Sequence, residues 1–418
     1  MITILKKNNV LNKKWIILLL LFTSVDTVLF GTNGNRLFLW VPRIVGLISI
    51  LLMILLIKNK NEGLLKVNKY SFFCFALMNI LFFSSAIYNG MSFETTISRF
   101  IAIFVAYVIT MFISENEFLC IFDDFLFFIS IIALLTEVLA YIMPILLNFL
   151  PKVLNTTGYV YSSFFVGGLL ITTNISETFI RASSIFWEPG AYAFYLILGI
   201  MYQFFKKENI DSKRLIIYIL CLIITFSTTG YIVLGVMMIG YVMSGKLNNK
   251  SNIIKYLCVI VALLVIIGSL FSPDSIIYQA VFDKLFSGTS SATTRYSSLF
   301  NGLKVAISHP LLGVGADLDK YMEIYVKTSK YSNGGLSITN TIVAQAASYG
   351  CVFGLLFLLG TLNFFRRWNS SKKTGYILAF SIILAYMGER FYSFLPFVFV
   401  FYGFTKYMRR NLNESSNY

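Results

Sequence analysis

Long apolar runs separated by short polar clusters set the pattern of the chain. A helix that crosses a membrane needs about 20 mostly apolar residues, fewer where flanking polar groups reach the interface. Twelve runs qualify, at roughly 15-30, 37-57, 70-89, 97-114, 119-143, 189-205, 214-229, 231-244, 253-271, 340-365, 375-388 and 391-406. The runs that meet at Gly230 are short and predict either two separate spans or one bent hairpin. Lys6, Lys7, Lys13 and Lys14 precede the first run as in a signal peptide. No small-residue cleavage site follows Leu21 and Phe22, so a retained span is expected. The pattern predicts an all-α polytopic membrane protein in three parts: 1-271 with nine spans and an outer loop at 144-188, a large loop at 272-338, and 339-418 with three spans and a tail.

Composition excludes a soluble globular chain. Of 418 residues 57% are hydrophobic, 17% aromatic and 13% charged, whereas soluble chains carry about 25% charged residues. The net charge of +15 does not point to nucleic acid, because the basic residues sit in short clusters between apolar runs, as loops facing an anionic leaflet do. The five Cys (Cys74, Cys120, Cys221, Cys258, Cys351) lie singly, which indicates neither a disulfide framework nor a zinc site.

With the amino terminus cytoplasmic, the inner segments hold 22 of the 34 Lys and Arg, and six of the remainder lie within 272-338. That bias predicts both termini inside. A semi-apolar stretch, Tyr159 to Thr173, would reverse the later spans if it crossed, so an interfacial or re-entrant piece is expected there. No internal repeat of the transporter kind is visible.

In this orientation Asp26, Glu94, Arg99, Glu137, Glu188, Glu389 and Arg390 all fall at or near the outer ends of spans, which predicts a polar cavity opening outward. For each residue alone, an interfacial anchor is the alternative. Three stretches stand out. Arg181-Ala-Ser-Ser-Ile-Phe-Trp-Glu188-Pro189-Gly190 leads into the sixth span, with Pro189 fitting a first helical turn; Glu188 is either a helix cap or a carboxylate available to a sugar hydroxyl. Phe226-Ser227-Thr228-Thr229-Gly230-Tyr231 places hydroxyls at an outer turn, where they can satisfy freed backbone groups or line a sugar site. From Thr293 to Gly315, Tyr296, Leu299, Phe300, Leu303 and Ile307 recur at spacings of three and four, predicting an amphipathic helix on the membrane or on the rest of the protein, closed by His309-Pro310. Gly313 and Gly315 allow a tight turn. Arg295 could hold a phosphate, or pair with Asp283 or a lipid headgroup. His309 is the one histidine, and its place suits a turn better than metal binding or catalysis. GxxxxGK[ST] and GxSxG are both absent, so neither ATP-driven chemistry nor a serine triad is indicated.

Taken in order, the Arg181 to Glu188-Pro189-Gly190 stretch, Ser227-Thr228-Thr229-Gly230, the large loop with Arg295, His309-Pro310-Leu311-Leu312-Gly313-Val314-Gly315, and Thr339-Asn340 followed by Tyr349-Gly350-Cys351-Val352-Phe353-Gly354-Leu355 resemble the bacterial polysaccharide polymerase and ligase superfamily. This comprises the Wzy-type O-antigen or capsule repeat-unit polymerases and the related O-antigen ligases. The likeness covers roughly residues 180 to 365, in short motifs whose specificity lies in their order. It implies a GT-C-like glycosyltransferase of the bacterial cytoplasmic membrane, working at the outer face without nucleotide sugar or other cofactor.

Such enzymes move an oligosaccharide from undecaprenyl diphosphate to an acceptor sugar hydroxyl, and their expected partners are carrier-linked oligosaccharides, membrane lipids, a flippase and a chain-length regulator. The resemblance implies Arg181, Arg295 and more weakly Arg390 as diphosphate ligands and Glu188, with Arg295, as catalytic. Ser227, Thr228, Thr229, His309, Gly313 and Gly315 would form a substrate-binding loop. A His-Asn pair opens the span after the large loop in the ligases. Thr339-Asn340 stands there in this chain, which favours a polymerase whose acceptor is a second lipid-linked repeat unit. A ligase, and a twelve-span flippase or transporter, are the alternatives.

Overall fold

The computed structural model describes residues 13–32, 36–58, 68–154, 160–164, 167–171, 181–207, 209–244, 290–328, 339–369 and 371–405. The expected span at 253-271, the start of the large loop and Asp283 lie outside the described residues.

The chain begins with helix α1 (13–22) and a single turn, α2 (Val28–Gly31). Four long helices follow: α3 (Arg36–Lys58), α4 (Lys69–Tyr88), α5 (Phe93–Phe112) and α6 (Glu115–Ile142). All four are long and apolar enough to cross a membrane. Polar caps set their starts: the side chains of Asn68, Ser92 and Ser114 accept hydrogen bonds from first-turn amides that would otherwise lack partners. After a peripheral sheet come α7 (Pro189–Met201), continued by one π turn (Tyr202–Lys206), α8 (Ser212–Ile224) and α9 (Thr228–Met243). α10 (Ser290–Ser308) and α11 (Leu318–Thr328) precede α12 (Thr341–Tyr349), α13 (Cys351–Arg366), α14 (Lys372–Gly388) and α15 (Phe394–Thr405). The protein is a mostly helical membrane protein.

The core is aromatic. Phe194 stacks on Phe391 at 4.2 Å, Phe186 on Tyr195 at 4.1 Å and Phe75 on Tyr107 at 4.1 Å between ring centroids, and such ring pairs add to the burial of their apolar area. Outside the core, Phe73, Ile80, Ile87 and Leu135 are exposed, as lipid-facing positions of a membrane helix are.

The structure corrects the sequence reading in three places. The chain is not all-α: 144-188 contains a four-stranded antiparallel sheet of β1 (Lys152–Leu154), β2 (Val160–Phe164), β3 (Gly167–Ile171) and β4 (Arg181–Ala182), in the order β1-β2-β3-β4. The expected interfacial or re-entrant piece is thus a pair of strands. Val160, Tyr161 and Phe164 favour extended backbone, whereas Gly167 and Gly168 would cost a helix roughly 1 kcal/mol each.

Second, the run 340-365 is two helices, broken at Gly350. Its φ of 96° suits glycine, and a Cβ there would collide with the Leu311 carbonyl. Third, Gly230 is not the turn between the two short spans. The turn is Thr225–Ser227, and Gly230 lies inside α9 against Leu222 and Ala193.

The two ends of the bundle differ chemically. At one end, buried Asp123 accepts from Arg214 at 2.6 Å, Tyr218 at 2.7 Å and Gln203 at 2.9 Å. Lys14 and Arg214 bind Asp124, and Lys206 binds Glu115. The starts of α6 and α8 and the end of α7 are locked together there. The other end carries the sheet, the turn before α9, α10, and the 389–393 segment between α14 and α15.

Candidate active site

At that second end, the first residues of α7, the turn before α9, strand β4, helix α10 and the end of α14 enclose a cavity of about 110 Å³. It is lined by Arg181, Glu188, Pro189, Gly190, Phe226, Ser227, Thr228, Arg295 and Glu389. Two arginines and two glutamates therefore face one small space. Chain segments more than 200 residues apart bring them there.

Arg181 sits on β4, paired in register with Leu170. Its Nε donates to the Thr225 carbonyl at 3.1 Å and its Nη2 to the Phe226 carbonyl at 3.2 Å. These bonds hold a strained turn: Phe226 has φ 47°, and Ser184, three residues after Arg181, has φ 51°. Left-handed backbone at a non-glycine residue costs on the order of 1–3 kcal/mol and persists only where surrounding contacts impose it. The turn releases Ser227, whose Oγ accepts from Gly230 N at 3.3 Å and starts α9.

Glu188 occupies the N-cap position of α7, but its side chain makes no capping hydrogen bond. Pro189 has no amide to cap, and the Glu188 carboxylate faces the cavity. Glu389 approaches from the other side. It follows the last turn of α14 with extended backbone, φ −143° and ψ 157°. Thr341 fixes it: the Thr341 hydroxyl donates to the Glu389 carbonyl at 2.6 Å and accepts from Phe391 N at 3.1 Å.

The Glu389 side chain is 6% exposed as a residue and hydrogen-bonds to Glu188. Two carboxyl groups can share such a bond only if one keeps its proton. Burial pushes the Glu389 carboxyl well above the usual carboxylate range. The Glu188 charge and hydrogen bond push the same way, against opposing pulls from Arg295 and Arg181. Glu389 is therefore the protonated member, donating to the Glu188 carboxylate.

Arg295 lies half-buried on α10. The helix buries Ser298, Asn301, Val305 and Ala306, with Gly302 against Val343 of α12. Phe300, Leu303 and Ile307, three of the five residues of the predicted apolar stripe, are exposed. Of the two expected supports, the helix does lie on the rest of the protein, but not through these three residues. The small residues Gly302 and Ala306 admit close approach of α12, while the large apolar residues project outward.

The remaining predicted residues lie elsewhere. Thr229 lines a narrow slot between α7, α9 and α14 with Gly388 and Glu389. Arg390, though adjacent to Glu389, points to the opposite face and stacks over Tyr321 and Tyr392 at 4.9 and 4.5 Å. The His309 ring is exposed, its Nδ1 3.0 Å from Ser308 Oγ. Gly313 and Gly315 hold the His309-to-Gly315 stretch onto the α12–α13 junction: Val314 N and Gly315 N donate to the Ala347 and Ser348 carbonyls at 2.9 and 3.0 Å. A Cβ at Gly313, φ 63°, would strike those same peptides. Asn340 caps α12 by accepting from Val343 N at 3.0 Å.

Glu389 is one of the acids that the sequence puts at outer span ends, but nothing local marks it as a site residue. The missing signal was its partner, since nothing in the order of residues pairs 389 with 188.

Residues 215–359, from α8 into α13, match the family model described as O-antigen ligase. The matched segment contains Ser227, Thr228 and Arg295, while Arg181, Glu188 and Glu389 complete the cavity from outside it. No curated protein matches the chain.

Proposed function

From the premise that the chain belongs to the O-antigen polymerase/ligase superfamily through its 215–359 domain, we propose that it is a repeat-unit polymerase. In this reading it transfers an undecaprenyl-diphosphate-linked oligosaccharide onto a sugar hydroxyl of a second lipid-linked repeat unit at the extracytoplasmic face. The observation that carries the reading is the single cavity holding Arg181, Arg295, Glu188 and Glu389. It lies at the end of the bundle opposite the Lys- and Arg-rich ends of α1, α7 and α8, and basic ends mark the cytoplasmic side of a membrane protein.

The chemistry needs two things from the protein. The bond from the donor's anomeric carbon to the diphosphate oxygen breaks, and the departing diphosphate gains negative charge that Arg181 and Arg295 neutralise in a water-poor setting. The acceptor hydroxyl oxygen forms the new bond to that carbon and gives up its proton to the Glu188 carboxylate. Glu389, holding a proton of its own, keeps Glu188 oriented and supplies no second negative charge to repel the diphosphate. The products are the lengthened lipid-linked glycan and free undecaprenyl diphosphate.

At about 110 Å³ the cavity is smaller than the roughly 300–1,000 Å³ that enclose a drug-sized ligand. It suits the reacting junction, with the rest of the glycan outside. The exposed His309 supports a carboxylate rather than an imidazole as base.

Carrier-linked glycans of a deletion strain test the proposal. A pool of single repeat units on undecaprenyl diphosphate, removed by the wild-type gene and not by Glu188→Gln, is expected. Accumulation on the cytoplasmic side would support transport instead. Finished polymer left unattached to its final acceptor would support ligation.

A further inference from the structure

Behind the cavity lies a second concentration of positive charge. Arg99 of α5 and Arg390 flank one aromatic ring, their guanidinium carbons 3.4 and 4.5 Å from the Tyr392 ring centroid. Arg99 also donates to the Tyr392 carbonyl at 3.3 Å. Arg390 is 8% exposed, and its buried Nε has no hydrogen-bond partner among the described residues. Of the nearby acids, Asp26 acts on Arg99 through its charge while accepting from Tyr195 at 2.8 Å, Asp317 accepts from Ser92 N at 2.7 Å, and Glu389 faces the cavity.

Two like charges beside one ring, Arg390 buried and Arg99 half-buried, are costly, and aromatic faces offset only part of the cost. Among the described residues no carboxylate hydrogen-bonds to either guanidinium, and an anion would complete the place. Its position is also defined: residue 389 is extended, so the neighbouring side chains point to opposite faces. The two cationic places thus stand back to back, across a backbone step of about 3.8 Å.

We propose that Arg99 and Arg390 form a second diphosphate site, which holds the undecaprenyl diphosphate of the acceptor while Arg181 and Arg295 hold that of the donor. This rests on the transfer reading above and deepens it. A polymerase must hold two diphosphate-bearing lipids at once, whereas a ligase working on a diphosphate-free acceptor needs one. Guanidinium forks match phosphate oxygens in a bidentate manner, and the Arg390 Nε has no partner among the described residues.

The test is lipid counting on the purified full-length protein in phosphatidylcholine nanodiscs, with undecaprenyl diphosphate as the probe and native mass spectrometry as the readout. Wild type is expected to take two lipids. Arg99→Gln/Arg390→Gln is expected to take one and Arg181→Gln/Arg295→Gln the other one, each variant's remaining site certifying its fold. Arg390→Lys, which keeps the charge and loses the fork, should weaken the second site roughly tenfold without abolishing it. Two lipids retained by Arg99→Gln/Arg390→Gln would overturn the assignment. Displacement from this site by phosphatidylglycerol as readily as by undecaprenyl diphosphate would overturn it too, marking a general headgroup site. Two lipids retained by Arg181→Gln/Arg295→Gln would instead overturn the transfer reading, a result separable from either of these.

Discussion

The Glu389 carboxyl rests against Gly190 in the place where a side-chain Cβ would stand. The absence of that one carbon lets an acid from the end of α14 reach the first turn of α7 and meet Glu188. Gly190→Ala is therefore expected to displace Glu389 from the cavity. Overpacking of this kind costs about 1–3 kcal/mol, so the protein should remain folded while glycan elongation falls at least roughly tenfold, a loss of about 1.4 kcal/mol of transition-state stabilisation. Polymer length on gels, set beside expression in the membrane fraction, checks it. Normal elongation in a well-expressed Gly190→Ala protein would separate Glu389 from the mechanism.

The raised Glu389 carboxyl gives stability a pH dependence. The folded protein holds this proton more tightly than the unfolded chain does. Its contribution is full below the ordinary carboxyl value of about 4.3, and it is lost as pH rises from there through the raised folded value. Wild type should melt at progressively lower temperature across that window. Glu389→Gln, which cannot titrate, should show a flatter profile in detergent. Parallel profiles would mean that Glu389 carries no excess proton.

His309 gives a prediction of the opposite kind. Its ring is exposed and lies outside the cavity, so His309→Ala should support elongation within about twofold of wild type, because surface substitutions away from special features stay within roughly 0.5 kcal/mol. Complementation of a deletion strain reads this directly. A collapse to single repeat units would place an imidazole back in the reaction.

Asp123 tests the far end of the bundle. It is 2% exposed and accepts from Arg214, Tyr218 and Gln203. Removing one partner of a buried ion pair costs about 3–5 kcal/mol, so Asp123→Asn should lower thermal stability. The surviving folded fraction should bind undecaprenyl diphosphate as wild type does. Loss of binding with stability intact would contradict the division between a structural end and a reactive end.

Much of this was legible in the sequence because hydrophobic periodicity is a local signal. The long spans of α3 to α6, Pro189 at the start of α7 and the close of α10 before Pro310 each follow from a few neighbouring residues. The arginines and Glu188 could be singled out because charge beside apolar runs is costly and so informative. What the sequence could not supply was pairing across distance. The sheet at 152–182 depends on strand partners, the burial of the small-residue side of α10 depends on α12, and Glu389 acquires a role only through Gly190 and Glu188. Arg390 shows the limit clearly. It sits beside a cavity residue in the chain, and one extended residue turns it to the other face.

The central claim is that this cavity transfers a glycan between carrier lipids with nothing but carboxylates and arginines. Its most direct measurement is reconstitution of the purified protein with undecaprenyl-diphosphate-linked repeat units, without nucleotide, scoring chain length and released undecaprenyl diphosphate together. The account predicts one carrier released for every linkage formed, and neither product from Glu188→Gln or Arg295→Ala. Elongation by those variants at the wild-type rate, or linkage formation without carrier release, would contradict it.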